Sequence, residues 1–197
     1  VSGRGSNLQA LLAAFPPDHP LVQISCVIGN RPDCAALGHA RRAGVLTHSI
    51  ARQDYPSREA QHTTIAERLA DAGAQLVVLA GYDQVLTAPL LTAYAGRLIN
   101  VHPSLLPAFA GTLHAPAEAL RYGVKVSGCT VHYVTAEVDG GPIIAQAAVP
   151  VLEDDDEASL SARILEQEHW LLPQVVCWLA EGRVHLQGRR VHIDGVP

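Results

Sequence analysis

Three polar side chains in this 197-residue chain could support chemistry at a carbonyl carbon. Asn100 and His102 end an apolar stretch that is typical of a buried strand, and the alternation of a strand places both side chains on one face. A carboxamide beside an imidazole suits a reaction in which negative charge develops on a carbonyl oxygen. Asp139 precedes two glycines in a predicted turn, and a carboxylate that reached His102 would favour the charged imidazolium and orient it. Structural roles remain open for each, because Asn-x-His pairs are often structural and aspartate is a common turn residue.

A glycine-rich segment at residues 2–8 could bind an anion. It lies where a first strand would turn into a first helix, so the backbone N–H groups of Gly5, Ser6 and Asn7 would point at a phosphate. Leu8 stands where a dinucleotide-binding motif has its third glycine, and no Gly-Lys-Ser/Thr sequence is present. The alternative is a helix N-cap formed by Ser6 or Asn7 after a tight turn.

The spacing of apolar residues predicts alternating helices and strands up to residue 101. Helices are predicted over 8–15, 35–43, 57–72 and 86–95, and strands over 23–29, 47–50, 76–80 and 98–101. The run at 76–80 is apolar at every position, as in a parallel strand covered on both faces. This alternation indicates an α/β fold with a doubly wound, mostly parallel sheet.

The pattern changes after residue 124. Two strand-like runs at 125–135 and 142–151 predict an antiparallel hairpin at the edge of the sheet. A long helix is predicted over 159–180, with a kink at Pro173. Its apolar stripe consists of Leu160, Ile164, Leu171, Val175 and Trp178. A short exposed hairpin is predicted to follow it, around residues 183–190.

Composition narrows the class of protein. At roughly 150 residues per domain, the length predicts one domain over 1–197. Hydrophobic residues make up 48% and charged residues 17%, which predicts a folded core, and no apolar run is long enough to span a membrane. The net charge of −5 disfavours a nucleic-acid partner. Four dispersed cysteines indicate a reducing compartment, and the histidines lack metal-ligand spacing, so no metal is expected. A first strand is expected to precede Val1.

Four motifs occur together in one order: SGRGSNL, NVHPSLLP, VDGGPIIAQ and ILEQEH, which begin at residues 2, 100, 138 and 164. As a set they resemble the phosphoribosylglycinamide formyltransferases over residues 2 to about 182. Members of this family transfer a formyl group from 10-formyltetrahydrofolate to the amine of glycinamide ribonucleotide in purine synthesis, without a metal. The resemblance therefore implies small-molecule substrates, no nucleic acid, no membrane, a cytoplasmic location, and a monomer or homodimer.

The resemblance also implies roles for particular residues. Asn100, His102 and Asp139 match the catalytic residues of the family. As the amine attacks, Asn100 and protonated His102 would stabilise the oxyanion, while Asp139 would keep His102 charged and help the amine proton reach the departing folate nitrogen. The ribonucleotide would contact Gly5, Ser6, Asn7 and Glu168. The folate would contact Arg58, Asp83, Gln84, Val85, Leu86, Asn100, Thr135, Ala136, Glu137, Val138 and Asp139.

Two segments depart from the pattern of the family. Gln84 stands where the folate-contacting segment often carries an arginine, and the loop at 110–114 has one additional residue. The rival formyl-folate enzymes are methionyl-tRNA formyltransferase and formyltetrahydrofolate hydrolase, whose additional domains would not fit within 197 residues. A rival of another class is a non-catalytic folate- or nucleotide-binding module, which would not need a polarised imidazole.

Overall fold

The computed structural model describes residues 1–196 and consists of two compact units, Val1–Ile99 and Asn100–Pro197. The first unit alternates helices and short strands, as the sequence predicts. Its helices are α1 (Ser6–Ala14), α2 (Ala35–Arg42), a 3₁₀ turn (Arg52–Asp54), α3 (Arg58–Asp71) and α4 (Ala88–Ala93). Its strands are β1 (Cys26–Gly29), β2 (Leu46–Ser49), β3 (Val77–Leu79) and the start of β4 (Leu98–His102).

Parallel pairing in the first unit confirms the βαβ interpretation. β1 pairs with β2 in parallel, from Cys26 opposite Leu46 to Gly29 opposite Ser49. Helix α2 connects these two strands and packs on both. A cluster of buried residues joins α1, β1 and α2, namely Leu8, Val27, Cys34, Ala36, Leu37 and Ala40. This cluster supports the glycine-rich turn that begins α1.

Helix α4 is shorter than the sequence indicates. The prediction was a helix over 86–95, whereas α4 covers Ala88–Ala93. Thr87 has extended backbone angles at the N-cap position, and Pro89 occupies the first turn, where its missing N–H costs nothing. Residues before Thr87 therefore belong to a loop between β3 and α4.

The second unit contains the predicted antiparallel hairpin and the long helix. Its further elements are α5 (Ala115–Tyr122), β5 (Val126–Tyr133), β6 (Ile143–Pro150), α6 (Glu157–Ala180), β7 (Val184–Gln187) and β8 (Arg190–Ile193). β5 lies between β4 and β6, and it pairs with β6 in antiparallel fashion. β7 and β8 form a separate terminal hairpin, as predicted. The chain is therefore an α/β protein with a mixed sheet.

Helix α6 packs against β5 and β6 and supports this sheet. A capping box begins the helix: the Asp156 carboxylate accepts from the Ser159 N–H at 2.8 Å, and the Asp156 N–H donates to the Ser159 hydroxyl at 3.0 Å. The helix continues through Pro173 to Ala180. Four residues of the predicted stripe are buried, while Trp178 is partly exposed. Among residues 1–196, none of the helices has the length and apolar character needed to cross a membrane.

Candidate active site

The second unit brings Asn100, His102 and Asp139 together. Asn100 and His102 lie two residues apart at the end of β4, and Asp139 lies in the loop between β5 and β6. Asp139 has a φ of 51°, in the left-handed region that aspartate tolerates better than most residues. Arg189, at the tip of the β7–β8 hairpin, donates to the Gly140 carbonyl at 3.0 Å and so holds the next residue of this loop.

The buried His102 ring lies between two acceptors. Its Nδ1 is 3.4 Å from Asp139 Oδ2, and its Nε2 is 3.0 Å from the carbonyl oxygen of Phe109. A carbonyl oxygen only accepts, so Nε2 carries a proton and donates it. On the other side of the ring, Nδ1 faces the Asp139 carboxylate.

His132 is a fourth polar residue of this site, and the sequence interpretation missed it. Its Nδ1 is 2.9 Å from the Tyr133 carbonyl and must donate to it. The remaining nitrogen, Nε2, accepts from the Asn100 amide at 3.2 Å and lies 3.6 Å from Asp139 Oδ1. Burial lowers the pKa of His132, which favours this neutral form. The ring therefore orients the Asn100 side chain.

A β-bulge contributes to this placement. The register of β5 with β6 shifts between Val131 and His132. Bulges re-aim side chains and are frequent beside active sites. The only sequence signal was an isolated histidine in an apolar strand, with no spacing that relates it to Asn100.

The loop at residues 110–114 also contacts Asp139. The Gly111 N–H donates to Asp139 Oδ2 at 2.8 Å. The Thr112 hydroxyl donates to Glu118 Oε1 at 2.8 Å and ties the loop to α5. Asp139 is thus held by a backbone donor on the same oxygen that faces His102.

The other predicted residues of the second unit lie on one loop and one helix. Thr135, Ala136, Glu137 and Val138 are exposed residues of the loop that leads to Asp139. Glu168 lies within α6 and is buried, with 5% of its surface exposed. Burial, and then the negative charge of Glu168, raise the pKa of the Cys129 thiol to about 12.

The predicted anion-binding turn lies in the first unit. Gly5 is the N-cap of α1, with φ 80° and no side-chain cap, and Ser6 and Asn7 are the first two helical residues. The alternative that Ser6 or Asn7 caps the helix is therefore wrong. The first N–H groups of a helix have no partner within it, so this turn offers backbone donors to an anion.

Replacing Gly5 with alanine is expected to damage this turn. A β-carbon at Gly5 would lie 2.6 Å from the Ala36 β-carbon and 2.7 Å from the Ala36 α-carbon. Left-handed backbone alone costs alanine about 1–2 kcal/mol, and the overlap with α2 adds to that cost. We expect a lower melting temperature for Gly5→Ala and a raised KM for the ribonucleotide that the family resemblance implies. Gly44→Ala is the matched control, because Gly44 has φ 73° but open space around it.

The predicted folate contacts of the first unit are Arg58 and the loop at 83–86. Arg58 is the first residue of α3, which Ser57 caps by accepting from the Ala60 N–H at 3.1 Å. Asp83 accepts from the Asn30 amide at 2.8 Å and pairs with Arg31, while its own N–H donates to the Ser2 hydroxyl at 3.0 Å. Hydrogen bonding to these partners lowers the pKa of the Asp83 carboxyl in spite of its burial.

Gln84 lines a cavity of about 720 Å³ in the first unit. Arg31, Arg52 and Asn30 line the same cavity. Asn30 Oδ1 is buried without a hydrogen-bond partner among residues 1–196. Polar groups in such a cavity suit a ligand that carries both donors and acceptors.

Buried histidines make stability depend on pH. Burial lowers the pKa of His62 and of His132 from the ordinary value of 6.5. Unfolding then takes up protons below that value, so the free energy of unfolding is highest above it and falls as the pH drops. We expect a lower urea midpoint at about pH 5.5 than at about pH 7.5. Replacing the exposed His192 with glutamine should leave this difference in urea midpoint unchanged. An equal urea midpoint at both pH values would contradict the lowered pKa values of His62 and His132.

Within residues 1–196, no group of three or more His, Cys, Asp or Glu side chains is arranged to hold a metal ion. The site described so far is instead an amide, two imidazoles and a carboxylate at the end of a strand in an α/β fold. This is an arrangement for group transfer at a carbonyl carbon.

Comparison with known proteins agrees with this class. Residues 1–176 match the formyl transferase family. A phosphoribosylglycinamide formyltransferase of Escherichia coli is 40% identical over 99% of this chain and 92% of its own length. A crystal structure of glycinamide ribonucleotide transformylase 1 from Symbiobacterium toebii superposes with a TM-score of 0.95 at 50% identity, covering 98% of this chain and 91% of that one. A phosphoribosylglycinamide formyltransferase structure from Anaplasma phagocytophilum gives 0.93 at 41% identity, covering 100% and 92%. The chain therefore belongs to the phosphoribosylglycinamide formyltransferase family.

Proposed function

We propose that this protein transfers the formyl group of 10-formyltetrahydrofolate to the amine of glycinamide ribonucleotide, in the synthesis of the purine nucleotide IMP. The observation that carries the proposal is His102, buried between Asp139 and the Phe109 carbonyl beside the oriented amide of Asn100. In a member of this family, such a group stabilises negative charge on the formyl oxygen.

The Asn100 amide supplies one donor to that oxygen. Its nitrogen has two hydrogens, and one of them is directed at His132 Nε2. The second hydrogen remains for the oxygen of the formyl group. Because His132 fixes the amide before the substrate arrives, this donor needs no reorganisation during the reaction.

His102 supplies the second donor, and Asp139 supports its charge. Nε2–H of His102 is directed at the Phe109 carbonyl, so the formyl oxygen must take the place of that carbonyl to receive the bond. The Asp139 carboxylate stabilises the imidazolium by charge. As the amine nitrogen bonds to the formyl carbon and the bond from that carbon to folate breaks, Asp139 accepts the amine proton, directly or through a water, and the proton passes to the folate nitrogen.

The substrate contacts that we propose are those of the remaining predicted residues. Gly5, Ser6 and Asn7 would bind the ribonucleotide phosphate with the backbone donors of α1, and the buried Glu168 would contact the same substrate. Folate would contact Arg58, residues 83–86 and residues 135–139. The polar lining beside Gln84, with the unpartnered Asn30 oxygen, fits a folate carrying both amide and carboxylate groups.

The cellular location, the partners and the oligomeric state of the protein are also proposed. The cysteines Cys26, Cys34, Cys129 and Cys177 are free thiols, which suits a reducing cytoplasm. We propose small-molecule substrates, no nucleic-acid partner, a single functional domain over 1–197, and a monomer or homodimer in solution. The net charge of −5 supports the exclusion of nucleic acid.

An assay of acceptor choice tests the activity. Purified protein is incubated with 10-formyltetrahydrofolate in three separate reactions. Glycinamide ribonucleotide is added as acceptor to the first and methionyl-tRNA to the second, and the third contains no acceptor except water. We expect a formylated product with the ribonucleotide alone. Product with methionyl-tRNA only, or hydrolysis with water only, would reject the proposal in favour of one of the rival formyl-folate enzymes.

A further inference from the structure

His62 holds both ends of the loop between β3 and α4. This fully buried residue of α3 receives the backbone N–H of Thr87 at Nδ1, at 3.0 Å, and the Thr87 hydroxyl lies 2.8 Å from the same nitrogen. Its Nε2 lies 3.2 Å from the Tyr82 hydroxyl. The hydroxyl of Thr87 makes no cap bond to α4, although Thr87 is its N-cap residue. The His62 ring is thus hydrogen-bonded to both Tyr82 and Thr87 of the loop at 82–87.

The partners determine where each proton lies. A backbone N–H can only donate, so His62 Nδ1 is an acceptor without a proton. The neutral ring therefore carries its proton on Nε2 and donates it to the Tyr82 oxygen. Tyr82 then has one proton of its own to give, and the atom 3.1 Å away is Oε1 of Gln84. The hydrogen bonds run in one direction, from His62 through Tyr82 to Gln84.

We call this series of hydrogen bonds, from His62 through Tyr82 to Gln84, the relay. Its direction orients the Gln84 amide. Since Tyr82 is the donor, the atom of Gln84 that faces it must be the oxygen, and the NH₂ group lies on the other side of the amide. Gln84 lines the cavity that also includes Arg31, Arg52 and Asn30. Asp83, which lies between Tyr82 and Gln84, contacts Ser2, Asn30 and Arg31, so the backbone immediately before Gln84 is held as well.

We propose that His62 and Tyr82 are positioning residues whose hydrogen bonds turn the Gln84 amide so that its NH₂ group donates to an oxygen of the folate substrate. This inference depends on the proposed function, because it assigns Gln84 to the folate. A glutamine held in this way supplies N–H donors where the family often has an arginine, without the positive charge. A free glutamine side chain would present its oxygen as readily as its nitrogen.

The tautomer of His62 can be measured directly. Two-bond ¹⁵N–¹H correlation spectra of the full chain, labelled with ¹⁵N-histidine and assigned with a His62→Asn variant, distinguish a proton on Nε2 from one on Nδ1. At neutral pH we expect His62 to carry its proton on Nε2. A proton on Nδ1, or on both nitrogens, would reverse or break the relay and overturn the proposal.

Binding measurements test the effect on folate. Tyr82→Phe removes only the hydroxyl of the relay, and isothermal titration with tetrahydrofolate should give a Kd about 2- to 10-fold higher than that of the original protein. In the assay we expect the KM for the formyl folate to rise by a similar factor and kcat to stay within about twofold. Tyr94→Phe is the control, because Tyr94 is a tyrosine of the first unit that is not part of the relay.

A double-mutant cycle separates orientation from general loss of structure. If Tyr82 acts through Gln84, then Gln84→Ala raises the Kd by itself, and Tyr82→Phe adds nothing further in the Gln84→Ala background. Additive effects, or a Kd unchanged in Tyr82→Phe, would overturn the inference. If the inference fails in this way but the unmodified protein formylates the ribonucleotide, the proposed function still stands. If the unmodified protein lacks that activity, the proposed function itself is rejected.

Discussion

Replacing His102 with alanine is expected to lower kcat for formyl transfer about 10²- to 10³-fold, the usual cost of one oxyanion donor. The variant loses the N–H that faces Phe109 and the ring that Asp139 supports. Because the role proposed for these contacts is to stabilise charge that develops in the transition state, KM for both substrates should change far less than kcat. Steady-state kinetics at saturating concentrations of both substrates measures this split.

The control for His102 is His192→Ala. His192 is exposed and belongs to the β7–β8 hairpin, so its removal should leave kcat unchanged. Circular dichroism and melting temperature establish that each variant is folded. A His102→Ala protein with nearly the original kcat would reject the mechanism while leaving the assignment to the family in place.

Much of the fold was predictable because its signals are local. Five consecutive apolar residues at 76–80 predicted a strand, which the structure has at Val77–Leu79. Two strand-like runs at 125–135 and 142–151 predicted the β5–β6 hairpin, which the structure confirms. Helix α5 was missed, since it has only eight residues. Short helices depend on packing more than on periodicity.

The candidate site was predictable only in part. The two-residue spacing of a strand put Asn100 and His102 on one face. The predicted turn made Asp139 a candidate, which the family resemblance then matched to a catalytic residue. The contact of His132 with Asn100 depends on a bulge in β5, and the contact of Phe109 with His102 depends on the conformation of a loop. Neither conformation has a periodic signature in the sequence, so both contacts required coordinates.

Replacing Asp139 with asparagine tests charge separately from shape. Asparagine keeps an oxygen that can accept from the Gly111 N–H, and it has nearly the same volume. It removes the negative charge beside His102 Nδ1 and the proton acceptor proposed for the amine. We expect kcat to fall about 10²- to 10⁴-fold, the range of general acid–base catalysis, with a small change in melting temperature.

The chain offers a matched control for Asp139. The carboxylate of Asp194 also faces two histidines, His185 at 2.8 Å and His192 at 3.4 Å, but all three side chains are exposed on the terminal hairpin. Asp194→Asn therefore makes the same chemical change between two imidazoles outside the candidate site. If both variants lost kcat equally, the effect would not belong to the active site. If Asp139→Asn kept nearly full activity, the charge of Asp139 would have no part in formyl transfer, and His102 would act with the Phe109 loop and Asn100 alone.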